Sequence, residues 1–255
     1  MSGGHGHRLF RPGTSYLHRL PAHTKLVAAL TFVLVVVATP RQAYWAFVLY
    51  AALQALAAQV AGLGLRHVLR QTVVEVPFVL FAVLLPFLVG GDTVSVGGVE
   101  LSRAGLSDAW NILAKATLGV WTSVILAGTT SPQAVVSGLQ RLRLPRLVVE
   151  MLAFMVRYLD VVAHDLQHMR IARASRGFDA RGPRHWRVLA QSAGALFIRS
   201  YERGERVHLA MLSRGYTGSL PLGGSAAATP RQWAAAAALP AAAAVVAVMA
   251  WTSVA

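Results

Sequence analysis

Runs of apolar residues alternate with shorter polar segments along most of the chain. Five apolar runs cover residues 26–39, 43–61, 73–89, 112–129 and 233–254. A helix that crosses a bilayer needs about 20 mostly apolar residues, and the second, fourth and fifth runs meet that length. The third run contains Glu75, Pro77 and Pro86, and prolines are tolerated where neighbouring helices satisfy the freed backbone groups. The pattern predicts about five transmembrane helices.

The charges of the connecting segments predict how these helices are oriented. Segment 62–71 carries Arg66 and Arg70, and segment 131–231 is dense in arginine, whereas segment 90–108 has three acidic residues and a single arginine. Cytoplasmic loops carry the excess of lysine and arginine in membrane proteins. The first two segments are therefore placed in the cytoplasm and the third outside. The N-terminus then lies inside and the C-terminus outside.

The polar segment 131–232 has strong helical periodicity. Within 147–174, apolar residues recur at steps of three and four, which is typical of one helix face; they are Val148, Met151, Leu152, Met155, Leu159, Val162, Leu166 and Met169. A second long helix is predicted from about 184 to 213, with a stripe from Trp186 to Met211. Each stripe needs an apolar partner, so we expect the two helices to pack on each other and on the inner membrane surface.

These elements predict an all-α, polytopic membrane protein with a cytoplasmic helical region of long crossed helices. Residues 1–24 form an N-terminal cytoplasmic segment, and residues 25–130 contain transmembrane helices 1–4. Residues 131–231 form the cytoplasmic or interfacial helices, and residues 232–255 the C-terminal transmembrane helix. No apolar stretch follows the polar N-terminus directly, so we expect no cleavable signal there.

Composition supports a membrane location and narrows the function classes. The chain is 55% hydrophobic and only 13% charged, whereas soluble domains carry about 25% charged residues. Its net charge of +14 is nearly all arginine, because Lys25 and Lys115 are the only lysines. The arginines lie next to apolar runs, with few aromatic residues for base stacking, which argues against nucleic-acid binding. With no cysteine in the sequence, disulfides and thiolate metal sites are excluded.

The two long predicted helices end in nearly the same sequence. The first ends Ala-Ser175-Arg176-Gly177-Phe and the second Leu-Ser213-Arg214-Gly215-Tyr. Glycine suits the left-handed position after a helix, and a cation is favoured at the C-terminus by the helix dipole. One such end is ordinary capping chemistry, but the repetition 38 residues apart (214 minus 176) favours a functional role. A guanidinium at an exposed tip suits bidentate pairing with carboxylates of another protein.

Several other polar residues have both a structural and a functional interpretation. His164 and His168 are four residues apart, with Asp165 between them, so they share a helix face that could hold a divalent ion or simply be solvated. Glu75 lies in an apolar run, which indicates function, yet an ion pair with Arg66 or Arg70 explains it equally well. His5 and His7 fit a polar tail better than a metal site.

We expect three further residues to support the arginine tips. Arg157 is positioned to brace the crossing of the two long helices, and Glu202 and Arg206, together with Tyr201, to hold the second tip. Glu202 and Arg206 are spaced four apart in the favourable order for a helical ion pair.

The chain resembles the CbiQ family, the transmembrane (T) components of cobalt energy-coupling-factor (ECF) ABC transporters. The resemblance covers about residues 18–221. Its specific motifs are His18-Arg19-Leu20 with Lys25-Leu26; Glu75-Val-Pro-Phe-Val-Leu-Phe; Leu144-Pro145-Arg146; Met155-Val-Arg157-Tyr158; Arg173-Ala-Ser-Arg176-Gly177-Phe178; and Arg199-Ser-Tyr-Glu202-Arg203-Gly-Glu-Arg206-Val, continuing to Ser213-Arg214-Gly215-Tyr216.

The resemblance implies a non-catalytic subunit in the bacterial plasma membrane. Its partners would be a dimer of ABC ATPase subunits, a substrate-specific membrane subunit that binds cobalt, and the lipid bilayer, with room for a small accessory membrane subunit. Arg176 and Arg214 would each dock in a groove of one ATPase. No cofactor or metal is expected in this chain, since ATP and Mg would be bound by the ATPases; neither lysine lies in a Walker A context.

Two alternatives remain at this level. The same architecture serves nickel or a vitamin as cargo, because the arginine tips are independent of what is transported. A membrane enzyme, such as a metallohydrolase, would need convergent ligands like His-Glu-x-x-His or paired intramembrane acids, and the sequence has neither.

Overall fold

A computed structural model describes residues 10–64, 68–69, 71–88, 93–96, 99–178, 186–217 and 227–254. In these ranges the chain forms nine α-helices and one β-hairpin. The helices are α1 Tyr16–Arg19, α2 Ala22–Ala38, α3 Tyr44–Val60, α4 Val76–Leu88, α5 Arg103–Thr129, α6 Pro132–Arg141, α7 Arg146–Ala174, α8 Trp186–Leu212 and α9 Pro230–Val254. The strands are β1 Thr93–Val96 and β2 Val99–Ser102.

The described residues form two compact units. The larger contains 10–138 and 227–254, and the smaller 139–217, which includes α7 and α8. Each of the five predicted apolar runs corresponds to a helix of the larger unit, namely α2, α3, α4, α5 and α9.

Only some of these helices reach membrane-spanning length. Helices α5 and α9 are long and apolar enough to cross a bilayer, whereas α2, α3 and α4 are shorter apolar helices. Helix α3 matches the second run to within one residue at each end, but its 17 residues fall short of the spanning length expected for that run. Gly62 follows with a φ of +70°, and the amide of Leu63 bonds back to the carbonyl of Ala58. This left-handed cap ends the helix where the apolar run ends.

The core of the larger unit forms where α2 and α3 pack against α5 and α9. Phe32, Phe47 and Tyr50 are buried at its centre, with edge-to-face ring contacts. Helix α9 contributes a seam of small residues at a spacing of seven, Ala236, Ala243 and Ala250, all buried. Small side chains let helices approach closely, as packing between membrane helices requires.

Buried polar groups tie the helices of this unit together. The Gln54 side chain on α3 donates to the Leu118 carbonyl at 2.9 Å and to the Thr122 hydroxyl at 2.7 Å, both on α5. Glu75 is 1% exposed and accepts a 2.8 Å hydrogen bond from the Thr117 hydroxyl. Arg66 and Arg70, the expected ion-pair partners of Glu75, lie outside the described residues. These hydrogen bonds offset part of the cost of burying polar groups, while the Oε1 atoms of Gln54 and Glu75 have no partner among the described residues.

Polar contacts also mark the two ends of the larger unit. At one end, Arg41 pairs with Asp108 at 2.7 Å, and the Lys115 ammonium donates to the Val37 carbonyl at 2.8 Å. At the other end, the Lys25 ammonium donates to the Thr129 carbonyl at 2.8 Å. The turn after α2 and the start of α5 therefore lie at the same end.

Segment 90–108, expected to be a loop, is ordered where the structure describes it, and it departs from the all-α prediction. Strands β1 and β2 pair antiparallel, with Val96 opposite Val99 and Thr93 opposite Ser102. Helix α5 then begins at Arg103, because the Ser102 hydroxyl accepts from the Gly105 amide and caps the first turn. The Gly97-Gly98 dipeptide, itself outside the described residues, was the sequence signal for a hairpin.

Two glycines of α5 mark close packing. A Cβ at Gly128 would lie 2.8 Å from a methyl carbon of Leu63, so the chain approaches α5 closely there. At Gly119, in contrast, a Cβ would have no neighbour within 4 Å among the described residues. Gly105 provides a further close approach, since a Cβ would lie 2.7 Å from the Cα of Pro86 on α4.

Candidate functional site

The first candidate tip is the C-terminal end of α7. The Phe178 amide bonds to the Arg173 carbonyl at 3.1 Å, and the Gly177 amide to the Ala174 carbonyl at 3.0 Å. These two bonds define a Schellman cap. The Ser175 hydroxyl donates to the Ala172 carbonyl at 3.0 Å, which satisfies one more carbonyl of the last turn.

The second candidate tip, at the end of α8, has the same cap. The Tyr216 amide bonds to the Met211 carbonyl and the Gly215 amide to the Leu212 carbonyl, each at 3.0 Å. The Ser213 hydroxyl donates to the Ala210 carbonyl at 3.0 Å. The repeated sequence therefore forms a repeated local structure.

Glycine makes both caps without strain. Gly177 has a φ of +74° and Gly215 a φ of +80°, in the left-handed region that other residues adopt at a cost. The left-handed glycine turns the backbone away from the helix axis. The residue before it, Arg176 or Arg214, therefore lies at the end of its helix.

Both arginine side chains face outward from the smaller unit. Arg176 and Arg214 are exposed, and among the described residues neither guanidinium has a hydrogen-bond or ion-pair partner. Each therefore presents its N–H donors, together with a charge that the helix dipole favours.

An ion pair between α7 and α8 relates the two tips. Arg203 donates to Asp165 at 2.9 Å. Each lies 11 residues before its tip, since 214 minus 203 and 176 minus 165 are both 11. The Glu150–Tyr216 contact follows the opposite order along the two helices, so α7 and α8 run antiparallel and the two tips lie towards opposite ends of the pair.

The contact surface between α7 and α8 is narrow, which differs in part from the expected packing. Phe154, Met155 and Tyr158 of α7 face Gly204, Val207 and Met211 of α8 across a groove. Yet α8 has no buried residue and α7 only Val149, although both helices are described throughout. Large side chains such as Met151, Leu159, Phe197 and Leu209 are exposed. Most of each stripe is therefore available to contact something other than the partner helix.

The predicted supporting residues lie in the same pair of helices. Glu202 and Arg206 approach to 3.9 Å as the expected i,i+4 pair, with both side chains more than half exposed. Arg157 is exposed on α7. The inter-helix contacts that the structure shows are instead made by Asp165 with Arg203 and by Glu150 with Tyr216. Sequence reasoning missed both pairs.

The histidine pair on α7 is the remaining candidate for metal chemistry. The Nε2 atoms of His164 and His168 are 2.8 Å apart. No group of three or more His, Cys, Asp or Glu residues that could hold a metal occurs in the described part of the chain.

Comparison with known proteins places these observations in a family. Residues 13–222 match the CbiQ family, described as "Cobalt transport protein". This range includes both Ser-Arg-Gly motifs and all of α7 and α8.

The chain is also similar to curated proteins, two of which are named as transmembrane proteins of energy-coupling factor transporters. The energy-coupling factor transporter transmembrane protein EcfT of Exiguobacterium sibiricum is 28% identical over 225 residues, which cover 81% of this chain and 83% of that protein. The protein of the same name from Bacillus subtilis is 28% identical over 235 residues, with the same coverage. An uncharacterized protein of Methanocaldococcus jannaschii is 27% identical over 172 residues, and the match spans 59% of its length.

Proposed function

Because this chain belongs to the CbiQ family of cobalt transport proteins, we propose that it is the T component of an ECF transporter in which Arg176 and Arg214 couple ATPase motion to uptake. In this proposal the chain spans the bacterial plasma membrane several times. It transmits movement from two ABC ATPase subunits to a separate substrate-binding membrane subunit. Its own role is mechanical, and ATP with Mg is bound by the ATPases.

The observation that carries the proposal is the pair of identical helix ends with outward-facing arginines. Each cap fixes the backbone by two hydrogen bonds, so the guanidinium leaves from a defined point. A planar guanidinium with free donors pairs best with carboxylates in a bidentate geometry. Each tip therefore fits an acidic groove on another protein.

The relation between the tips supports a partner with two equivalent grooves. Asp165 and Arg203 lie equally far from their tips and contact each other, so the antiparallel helices present two like tips towards opposite ends. A dimer of like subunits presents two equivalent surfaces. A long helix is a stiff element, so a push at its tip is carried along its whole length.

Cobalt is the proposed cargo because the matched family is described as cobalt transport proteins. The EcfT names of the relatives specify no cargo. The tips themselves are independent of cargo. The metal would be recognised by the substrate-binding subunit.

The coupling proposal is tested by Arg176→Ala combined with Arg214→Ala in the assembled transporter, reconstituted in vesicles with its ATPase and substrate-binding subunits. We expect cobalt uptake to fall to background, while the chain still inserts and ATP hydrolysis is no longer linked to uptake. Each single variant is expected to lose most of the uptake, since both grooves must move together.

A charge-matched control separates coupling from general electrostatics. Arg170→Ala combined with Arg187→Ala removes two exposed arginines from the same two helices and is expected to leave uptake near the unsubstituted level. Normal uptake by the Arg176→Ala, Arg214→Ala variant in an assembled complex would contradict the coupling proposal. Uptake of nickel in place of cobalt would correct the cargo and leave the coupling role intact.

A further inference from the structure

His164 and His168 form a close pair on the exposed face of α7. Their Nε2 atoms are 2.8 Å apart, with ring centroids 4.3 Å apart and ring planes at 86°. Both residues are exposed. A hydrogen bond therefore joins the two nitrogens at a solvent-exposed position, and an ion that takes the place of the shared proton would bind both, with the donor ring carrying its proton on Nδ1 instead. We propose that this pair binds a divalent transition-metal ion, such as Co²⁺ or Ni²⁺.

The separation of the two nitrogens fits two ligands of one metal ion. Imidazole nitrogens bind such ions at about 2.0–2.1 Å, so two adjacent octahedral ligands lie about 2.9 Å apart. The observed distance differs by about a tenth of an ångström, and rotation of the exposed rings would turn both nitrogens from each other towards a shared ion. Neutral imidazole is a preferred ligand of Co, Ni, Cu and Zn ions, whereas Mg and Ca prefer oxygen.

The surroundings of the pair favour a cation but do not supply all the ligands that a metal ion needs. Asp160 lies one turn before His164 and is exposed, so its charge is near the site. Asp165, in contrast, pairs with Arg203. Since the described residues contain no metal-holding group of three, water occupies the other coordination positions.

The equivalent positions on α8 also hold an i,i+4 pair. Adding 38 to 164 and 168 gives Glu202 and Arg206, which form a direct ion pair at 3.9 Å. That pair is complete without an ion. On α7 the same two positions carry two metal ligands. An ion bound to both would link two successive turns of the helix and stabilise it eight residues before Arg176 (176 minus 168).

The test uses the full-length chain, purified in detergent with an affinity tag free of histidine. His5→Ala and His7→Ala are placed in the background, so that the N-terminal tail does not bind the probe. Titration with Co²⁺ by calorimetry is expected to show one ion per chain. In that background, His164→Ala or His168→Ala is expected to weaken binding by about tenfold or more, which corresponds to about 1.4 kcal/mol.

Two controls distinguish binding by the His164–His168 pair from binding that depends only on the number of histidines. The variant His168→Ala with Arg170→His keeps the number of histidines but moves one off the face of His164, because residues six apart do not adjoin on a helix; it should bind as weakly as His168→Ala. His208→Ala removes a single exposed histidine from α8 and should bind Co²⁺ normally.

A second measurement shows whether the ion binds the folded helix. Co²⁺ should raise the melting temperature of the chain only where both His164 and His168 are present, since a ligand of the native state stabilises it by mass action. The proposed site would be wrong if the His5→Ala, His7→Ala chain bound no Co²⁺. It would also be wrong if that chain bound Co²⁺ equally well after both His164 and His168 were replaced. The site does not depend on the coupling proposal, because the binding assay contains no ATPase and measures no uptake.

Discussion

The Tyr216 hydroxyl donates a 2.8 Å hydrogen bond to Glu150, which ties the second arginine tip to the beginning of α7. The first tip lacks this bond, because the equivalent aromatic residue is Phe178. The position equivalent to Glu150 is likewise apolar, Val188 (150 plus 38). The two caps are therefore alike in backbone structure, while their aromatic residues are anchored differently.

Tyr216→Phe should loosen the second tip and leave the first unchanged. Removing the hydroxyl deletes the bond to Glu150 but keeps the ring. We expect faster hydrogen exchange at the amides of residues 213–216 and no change at residues 175–178, measured by mass spectrometry. Tyr16→Phe is the matched control, since it removes an exposed tyrosine hydroxyl from the larger unit; an equal effect of both variants would contradict the anchoring role.

The same bond predicts a pH dependence. Hydrogen bonding to Glu150, followed by burial and the charge of Glu150, raises the pKa of Tyr216 above its ordinary value of 10.0. A raised pKa means that the folded state favours the protonated phenol. The anchor is then fully present below about pH 10 and is lost as the pH rises through the raised pKa. After correction for the base-catalysed rise in intrinsic exchange, protection of the amides at the second tip should fall over that range in the unsubstituted chain but not in Tyr216→Phe.

Glycine-to-alanine substitutions at the tips should destabilise the caps. Gly177→Ala and Gly215→Ala each force a Cβ into the left-handed region, at a cost of about 1–2 kcal/mol, although nothing lies within 4 Å of either Cβ. We expect local exchange at the altered cap to rise and coupled uptake to fall.

Gly194→Ala is the control for these substitutions. It lies within α8 at an equally open position but has helical geometry, so alanine should stabilise it by about 0.5–1 kcal/mol. A shift of all three variants in the same direction would rule out cap geometry as the cause.

Two glycines of α5 should respond in opposite ways to the same substitution. A Cβ at Gly105 would meet the Pro86 Cα at 2.7 Å and the Leu85 carbonyl oxygen at 2.9 Å. These are backbone atoms, so α4 and α5 must move apart, at a cost of about 1–3 kcal/mol. Gly119→Ala meets no atom within 4 Å and should be neutral or stabilising. Thermal melting of the two purified variants tests this, and equal melting temperatures would contradict the close approach of α4 and α5.

The absence of cysteine makes the predicted topology directly measurable. Gln42→Cys and Ala104→Cys lie beside Arg41 and near Asp108, which contact each other, so both should react with a membrane-impermeant maleimide added to intact cells. Ser175→Cys and Ser213→Cys should react only after permeabilisation.

Different outcomes of this labelling address different conclusions. Opposite behaviour of positions 42 and 104 would contradict the arrangement of α2 and α5. Labelling of both only after permeabilisation would instead reverse the orientation predicted from charge.

Local features were predictable because neighbouring residues determine them. The apolar runs became helices, since periodicity and composition act over a few turns. The Ser-Arg-Gly ends form caps because glycine adopts the left-handed position of a helix cap easily, whatever lies around it. The ends of elements were less certain, as the hairpin shows, because Ser102 begins a helix inside an expected loop.

Contacts across the chain required the tertiary structure. Asp165 and Arg203 each look like solvated helix residues in the sequence, and only the antiparallel arrangement of α7 and α8 brings them to 2.9 Å. Gly105 and Gly119 cannot be told apart in the sequence. Only the position of α4, whose backbone contacts α5 at Gly105, makes a side chain unfavourable at that glycine. The sequence by itself determined the family, the helices and the two arginine tips, because these depend on local patterns. The pairing of α7 with α8 and the distance between the tips depend on how distant segments meet, which no local pattern encodes.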